Sequence, residues 1–292
     1  MSARAAACLV ECAAMQVTRA TLAADLRALG VEAGRVVMVH ASLRRIGATT
    51  TTPFALSLSK GSATAPFAQS LSKGGADAVI DALLDVIGAD GTLLMVLGSN
   101  DDAAPFDPAT TPADPTVGAM AEVFRCRAGV LVNDHVAARY AAQGPHAAWL
   151  LGPQPLHHYY GSGSVLERLT HINGRVLRLG ADIDTVTLTH HAEYLAQLPH
   201  KYRVIRDYVR ADTGALQVES LDDSDGIVDW PHGDYFAQLM RDWLAGPRVR
   251  KGTVGRAQAE LFDAQPFVDF AVRWMEINLL ETSRLQGTNE RR

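Results

Sequence analysis

Two short runs constrain the fold of this chain more than any other feature: RVVMVH, residues 35–40, and TLLMV, residues 92–96. Neither alternates between apolar and polar positions. A strand that is apolar on both sides must be covered on both faces, and parallel sheets in α/β proteins meet that requirement with helices above and below. A helix-forming segment precedes each run. TRATLAADLRALG (18–30) sets Leu22, Leu26 and Leu29 at helical spacing, offers Thr18 or Thr21 as a cap and stops at Gly30. GADAVIDALLDVIG (75–88) repeats the pattern before the second run. The helix–strand–helix–strand order predicts an α/β fold, a single domain with a mainly parallel central sheet flanked by helices.

Further along, RVLRLGA (175–181) predicts another strand, TVTLTHHAEYLAQLP a helix stopped by Pro199, and residues 202–222 a β-hairpin turning at Asp212–Gly214. The C-terminal third reads as mostly helical, from DYFAQLMRDWLA (234–245) to VDFAVRWMEINLL (268–280). No linker-like stretch divides the 292 residues, so the domain is expected over 15–282, between an N-terminal tail (1–14) and a polar C-terminal tail (283–292). PFALSLSKG (53–61) and PFAQSLSKG (66–74) differ only at Leu56 against Gln69. Two copies cannot build a solenoid, so residues 48–74 read as an inserted surface loop whose deletion leaves the fold intact.

Composition narrows the partners. A net charge of −5 argues against nucleic acid, and no apolar run is long enough to span a bilayer. Cys8, Cys12 and Cys126 match neither a disulfide framework nor a zinc pattern, which points to a reducing cytosol. ACLVECAA is too short, and too interrupted by Glu11, for a signal peptide.

The chemistry concentrates in DTVTLTHHAEYL (184–195). His190 and His191 are adjacent, hence about 100° apart around a helix, and cannot converge on one metal ion unaided. As a general base the stretch fits better: His190, Glu193 and Tyr194 share one helix face, and a histidine near a helix N-terminus is kept neutral by the dipole. The ordinary alternative is a pair of surface or core-satisfied histidines. ASLRRIG (41–47) follows a buried strand at its carboxyl end, where open α/β sheets bind ligands, and GSGS (161–164) reads as a phosphate- or pantetheine-wrapping turn or simply a flexible one. Acids crowd two loops, at Asp101, Asp102, Asp107 and Asp114 with Glu122 nearby, and in LDDSDGIVDW (221–230). Such density suits a cationic ligand, or else solvated loop surface.

Taken together, MVHASLRRIG, FDPATTP, RVLRLGADIDTVTLTHHAEYLAQLPHK, LDDSDG, GDYF and FAVRWME, in this order from about Thr18 to Glu276, resemble the aminoglycoside 3-N-acetyltransferase family. The resemblance implies a fold distinct from the GCN5 type. It implies transfer of acetyl from acetyl-CoA to the 3-amino group of a 2-deoxystreptamine ring, without an acyl-enzyme and without a metal, by a cytoplasmic resistance enzyme that is a monomer or homodimer. His190 falls on the base position. Ser42, Leu43, Arg45, Ile46, Gly47 and Thr187 fall along the CoA. Asp102, Glu122, Asp184, His191, Asp222, Asp225 and Asp234 fall on the aminoglycoside side. The carboxylate orienting the base is expected at Asp222 or Asp225, ahead of Glu193. Val165 stands where relatives often carry proline, and the 48–74 segment interrupts the match. Other readings are an acetyltransferase of the same fold acting on a different amine, and a cation-sequestering binding protein.

Overall fold

The structure is a computed structural model and describes residues 17–47, 75–98 and 105–289. The N-terminal tail, the repeat-bearing segment at 48–74 and the acids Asp101 and Asp102 lie outside the described residues.

The first helix, α1 (Arg19–Leu29), opens with a reciprocal capping box between Thr18 and Thr21 and closes on Gly30 in the left-handed conformation. Strand β1 (Val36–Ala41) follows, then a single helical turn over Leu43–Ile46. Next come α2 (Gly75–Ile87), β2 (Thr92–Val96), α3 (Ala119–Arg125), β3 (Leu131–Val132), β4 (Tyr140–Gln143), α4 (Val165–His171), β5 (Arg175–Leu179) and α5 (Leu188–Leu195). The hairpin of β6 (Arg203–Arg210) and β7 (Gly214–Leu221) leads through α6 (Tyr235–Ala245) to a second hairpin, β8 (Arg250–Val254) with β9 (Ala257–Asp263). Helices α7 (Ala264–Asn278) and α8 (Leu280–Asn289) end the described chain.

Among the described residues, seven strands form one sheet in the order β3-β4-β2-β1-β5-β9-β8. Here the expectation of a mainly parallel sheet needs correction. Strand β1 runs parallel to β2 and β5, but the outer pairings, β2/β4, β3/β4, β5/β9 and β8/β9, are antiparallel. The parallel centre is the part whose strands read as unbroken apolar runs. The flanks are short or alternate, as in β9, where Ala257, Ala259 and Leu261 point inward between Gln258 and Glu260.

Both faces of the centre are buried. Val36 and Met38 pack with Phe267, Val268 and Leu239 on one side, whereas Val37 and Val39 pack with Leu22, Leu26, Ile80 and Leu83 on the other. Each of those leucines, fully withdrawn from water, contributes about 2 kcal/mol. The segment read as a polar C-terminal tail is helical as far as residue 289. Its Ser283 is fully buried and exchanges hydrogen bonds with the His200 backbone, while Gln286 donates to the Ile227 carbonyl.

Candidate active site

After β5 the chain turns sharply at Gly180, whose φ of +63° and closeness to Arg45 and Ala257 leave no room for a β-carbon. Arg178, only 2% exposed, ties the next turn down by donating to the Ala181 and Asp182 carbonyls and pairing with Glu260. The chain then enters α5, and two cavities border the start of this helix.

The first, of about 700 Å³, has His190 on its wall. Around it stand Asp184, Asp223, Asp225, Asp229 and Asp234, together with the aromatic faces of Trp230, Tyr235 and Phe236 and no lysine or arginine among its lining residues. The His190 ring stacks on Tyr160 (centroids 5.0 Å apart, planes at 11°) and leans on Phe236. Its Nδ1 lies 2.8 Å from Glu193 Oε2. With Glu193 ionised, Nδ1 donates, and the lone pair is left on Nε2. Burial works against an imidazolium here, but the hydrogen bond and charge of Glu193 and the field of Asp223 outweigh it and hold His190 above its ordinary pKa. Glu193 itself is 1% exposed, and burial pushes its carboxyl up against the opposing pull of His190. The Tyr235 hydroxyl donates to the other Glu193 oxygen and accepts from the Ile227 N–H. Gly226 makes room for this: its φ is +93°, and a β-carbon there would sit 2.9 Å from the Tyr235 hydroxyl.

The second cavity, of about 550 Å³, opens at the carboxyl ends of β1 and β2. Its wall mixes apolar Val39, Met95, Val117 and Met120 with the hydroxyls of Ser42, Thr116, Thr185 and Thr187, a lining suited to an amphipathic chain. The loop over residues 107–118 is anchored by Arg139, which is wholly buried and donates to the Thr111 and Pro112 carbonyls. Thr187 borders this second cavity one turn before His190, so the start of α5 joins the two spaces.

Several expected residues are therefore in place. Asp184, Asp225, Asp234 and His190 line the first cavity, and Ser42, Leu43 and Thr187 line the second. Others are not, and each has a physical reason. Asp222 accepts the N–H groups of Ser224 and Asp225 and shapes their turn, without lining either cavity. The carboxylate on the imidazole is Glu193, not Asp222 or Asp225, because positions i and i+3 of one helix are already adjacent. His191 points the other way, 2% exposed, with Nδ1 at 2.7 Å from the Tyr160 carbonyl and burial depressing its pKa. Glu122 is saturated: it pairs with Arg125 through both oxygens and accepts the Ala113 N–H. Burial pushes its carboxyl up, yet these partners hold it below the ordinary range.

Arg45 is bound to Asp182 and the Gly180 carbonyl, Ile46 is fully buried, and Gly47 ends the helical turn in the left-handed region. These three build the turn under the cavity rather than its wall. GSGS closes on itself, with Ser164 capping α4 and Glu167 accepting the Gly163 N–H. Asp102 lies outside the described residues. Among the described residues, no group of three or more histidines, cysteines and carboxylates is arranged to hold a metal ion. Sequence reasoning passed over Asp223, which accepts from Tyr159 and pairs with Arg206, along with Tyr160, Trp230, Tyr235 and Phe236. Asp223 stood in the acidic run, but nothing in a linear run distinguishes it from Asp222.

Known proteins resemble this arrangement along nearly the whole chain. The chain is 36% identical to aminoglycoside N(3)-acetyltransferase III of Pseudomonas aeruginosa, over 89% of its own length and 93% of the relative's. It is 34% identical to aminoglycoside N(3)-acetyltransferase VII of Streptomyces paromomycinus, over 90% and 93%. Among solved structures, aminoglycoside acetyltransferase AAC(3)-Xa superposes with a TM-score of 0.79 at 36% identity, covering 91% of this chain and 94% of that one. AAC-IIIb, solved as a binary complex with CoASH, superposes with a TM-score of 0.76 at 35% identity, covering 89% and 96%. AAC-VIa bound to sisomicin superposes with a TM-score of 0.75 at 32% identity, covering 89% and 97%. A family model described as aminoglycoside 3-N-acetyltransferase matches residues 68–276, and the chain belongs to that family.

Proposed function

We propose that this enzyme transfers an acetyl group from acetyl-CoA to the 3-amino group of 2-deoxystreptamine aminoglycosides, with His190 as general base and no covalent acyl-enzyme. The observation that carries the reading is the first cavity: five carboxylates and three aromatic faces, no basic lining residue, and a histidine on the wall. Charge-assisted hydrogen bonds and aromatic faces both favour a polyammonium ligand there. The same acids favour the ammonium form of the amine that must react, so a base beside it is needed. His190 Nε2 takes that proton while Glu193 holds the ring and stabilises the imidazolium that results. The acyl donor belongs in the second cavity, where Thr187 and the opening of α5 lie beside the thioester. The free amine then attacks the thioester carbonyl, and the C–N bond forms as the C–S bond breaks. The departing CoA sulfur takes the second amine proton and leaves as the thiol, while His190 releases the first to solvent. Cys126 is no nucleophile in this scheme. Burial raises its thiol pKa, and its contacts are Glu122 and Arg125, away from both cavities.

The test is a thiol-release assay with acetyl-CoA and a panel of aminoglycosides, with the acetylated nitrogen located by NMR of the product. Acetylation at the 3-amino group is expected. Turnover only of unrelated amines would move the substrate class, and tight aminoglycoside binding without thiol release would leave a sequestering protein.

A further inference from the structure

His40 ends the apolar run of β1 on the wall of the second cavity. Its Nε2 is sealed from water and has no hydrogen-bond partner. Directly across the parallel pairing, in β5, Arg178 carries a second sealed and unpartnered nitrogen, its Nε. Buried polar groups in folded proteins almost always find partners, and one left without costs stability. Here two residues with such nitrogens are register neighbours at the carboxyl edge of the sheet, and His40 stands in a wall of apolar side chains and hydroxyls whose charged members are Arg44 and Asp182. Burial, reinforced by the Arg178 guanidinium, lowers the pKa of His40 to about 4, so the ring is neutral near pH 7 and presents one N–H and one lone pair.

We propose that His40 is a contact residue for the acyl donor, its Nε2–H hydrogen-bonded to a carbonyl oxygen on the pantetheine–thioester arm. This rests on reading the second cavity as the acyl-CoA site. A half-turn of the ring about Cβ–Cγ exchanges the Nε2 and Cε1 edges and brings the donor to a seated carbonyl. The arm, rather than the nucleotide, is the part expected at His40. Thr187 lines the same cavity and lies one turn before His190, and the acyl group has to arrive beside that turn.

The experiment compares wild type, His40→Leu and His40→Gln by calorimetric titration with CoA, steady-state kinetics with acetyl-CoA and with S-acetylpantetheine, and thermal melting. Leucine fills the space and removes the unpaired polar group, so His40→Leu should melt no lower than wild type. Its Kd for CoA and KM for acetyl-CoA should rise about tenfold, the worth of one hydrogen bond to a neutral group. The aminoglycoside KM should stay within about twofold of wild type. The loss should persist with S-acetylpantetheine, and glutamine, whose amide reaches the Nε2 position, should restore most of it. Wild-type constants in His40→Leu, equal losses in Leu and Gln, or a loss that vanishes with the truncated thioester would each overturn the assignment of His40. A wild-type protein that neither binds CoA nor uses acetyl-CoA would overturn the reading of the cavity on which it rests.

Discussion

At the scale of single residues, a step of about 100° around the helix separates the two adjacent histidines into different jobs. His190 shares a face with Glu193 and opens on the acidic cavity, while His191 is turned toward the Tyr160 backbone. Replacing His190 by alanine should lower kcat about 10²–10⁴-fold with aminoglycoside binding retained, the range expected for loss of a general base. His191→Ala should chiefly lower the melting temperature, because it empties a buried site. The base must be neutral to work, and its pKa is held above the ordinary 6.5. Activity should therefore fall on the acid side at a pH above that value. Glu193→Gln removes the carboxylate that raises the pKa, so it should lower kcat and move the acid limb to lower pH. An unmoved limb in a kcat/KM profile would remove Glu193 from this role. The stability linkage has the opposite sense. The protonated His190–Glu193 pair adds stability below the ordinary histidine range, and that increment is lost as pH rises through the raised pKa.

Among the elements, α6 combines structural and ligand-facing duties in one side chain. Asp234 accepts the Phe236 N–H as the helix cap and also lines the acidic cavity. Asp234→Asn keeps the cap and removes the charge, so it should raise the aminoglycoside KM with melting nearly unchanged. Asp234→Ala should add a loss of about 1 kcal/mol in stability. Urea melts and steady-state kinetics on the two variants separate these contributions. Glu122 offers the contrast. Committed to Arg125 and to the Ala113 N–H, Glu122→Gln should destabilise the fold and leave the aminoglycoside KM unchanged. The terminal helix acts through a longer chain of contacts, since Gln286 bonds Ile227, whose N–H donates to the hydroxyl that holds Glu193. A chain ended at residue 279 should melt lower and lose kcat more than substrate affinity. Kinetics on that truncation, run well below its melting point, check this.

For the molecule as a whole, acid is the expected weakness. His40 and His135 are held neutral, each with a pKa lowered by burial to about 4. Their unfolded forms take up protons near the ordinary value of 6.5, so folding stability should fall as pH drops from about 6.5 to about 4. A shift of that size is worth up to roughly 3 kcal/mol per histidine. His135 is 3% exposed and accepts the N–H groups of Ala137 and Ala138 through Nδ1, which protonation would forbid. Melting temperatures followed across this window should decline, and His40→Leu should flatten part of the decline. A profile level down to pH 4 would contradict the assignment of neutral buried histidines.

What the sequence determined by itself was local or statistical in nature. The helix over residues 19–29 carries its cap at Thr18 and its stop at Gly30 in adjacent letters, and β1 and β2 announce two-sided burial by unbroken apolar runs, Val36–Val39 and Leu93–Val96, with no polar alternation. The His190–Glu193 face follows from helical period alone, and the ordered set of motifs identified the family. The rest depended on distances across the chain. The antiparallel flanks of the sheet include β9 paired with β5 across eighty or more residues, a long-range pairing that no local pattern in either strand specifies. Of the LDDSDG acids, Asp223 and Asp225 line the cavity and Asp222 does not, because the turn spends the Asp222 carboxylate on its own backbone N–H groups. Tyr235 reaches Glu193 only because Gly226 clears its path. Linear spacing encodes which groups a segment offers. Which of them are free to meet a ligand is decided by the partners that folding brings to each one.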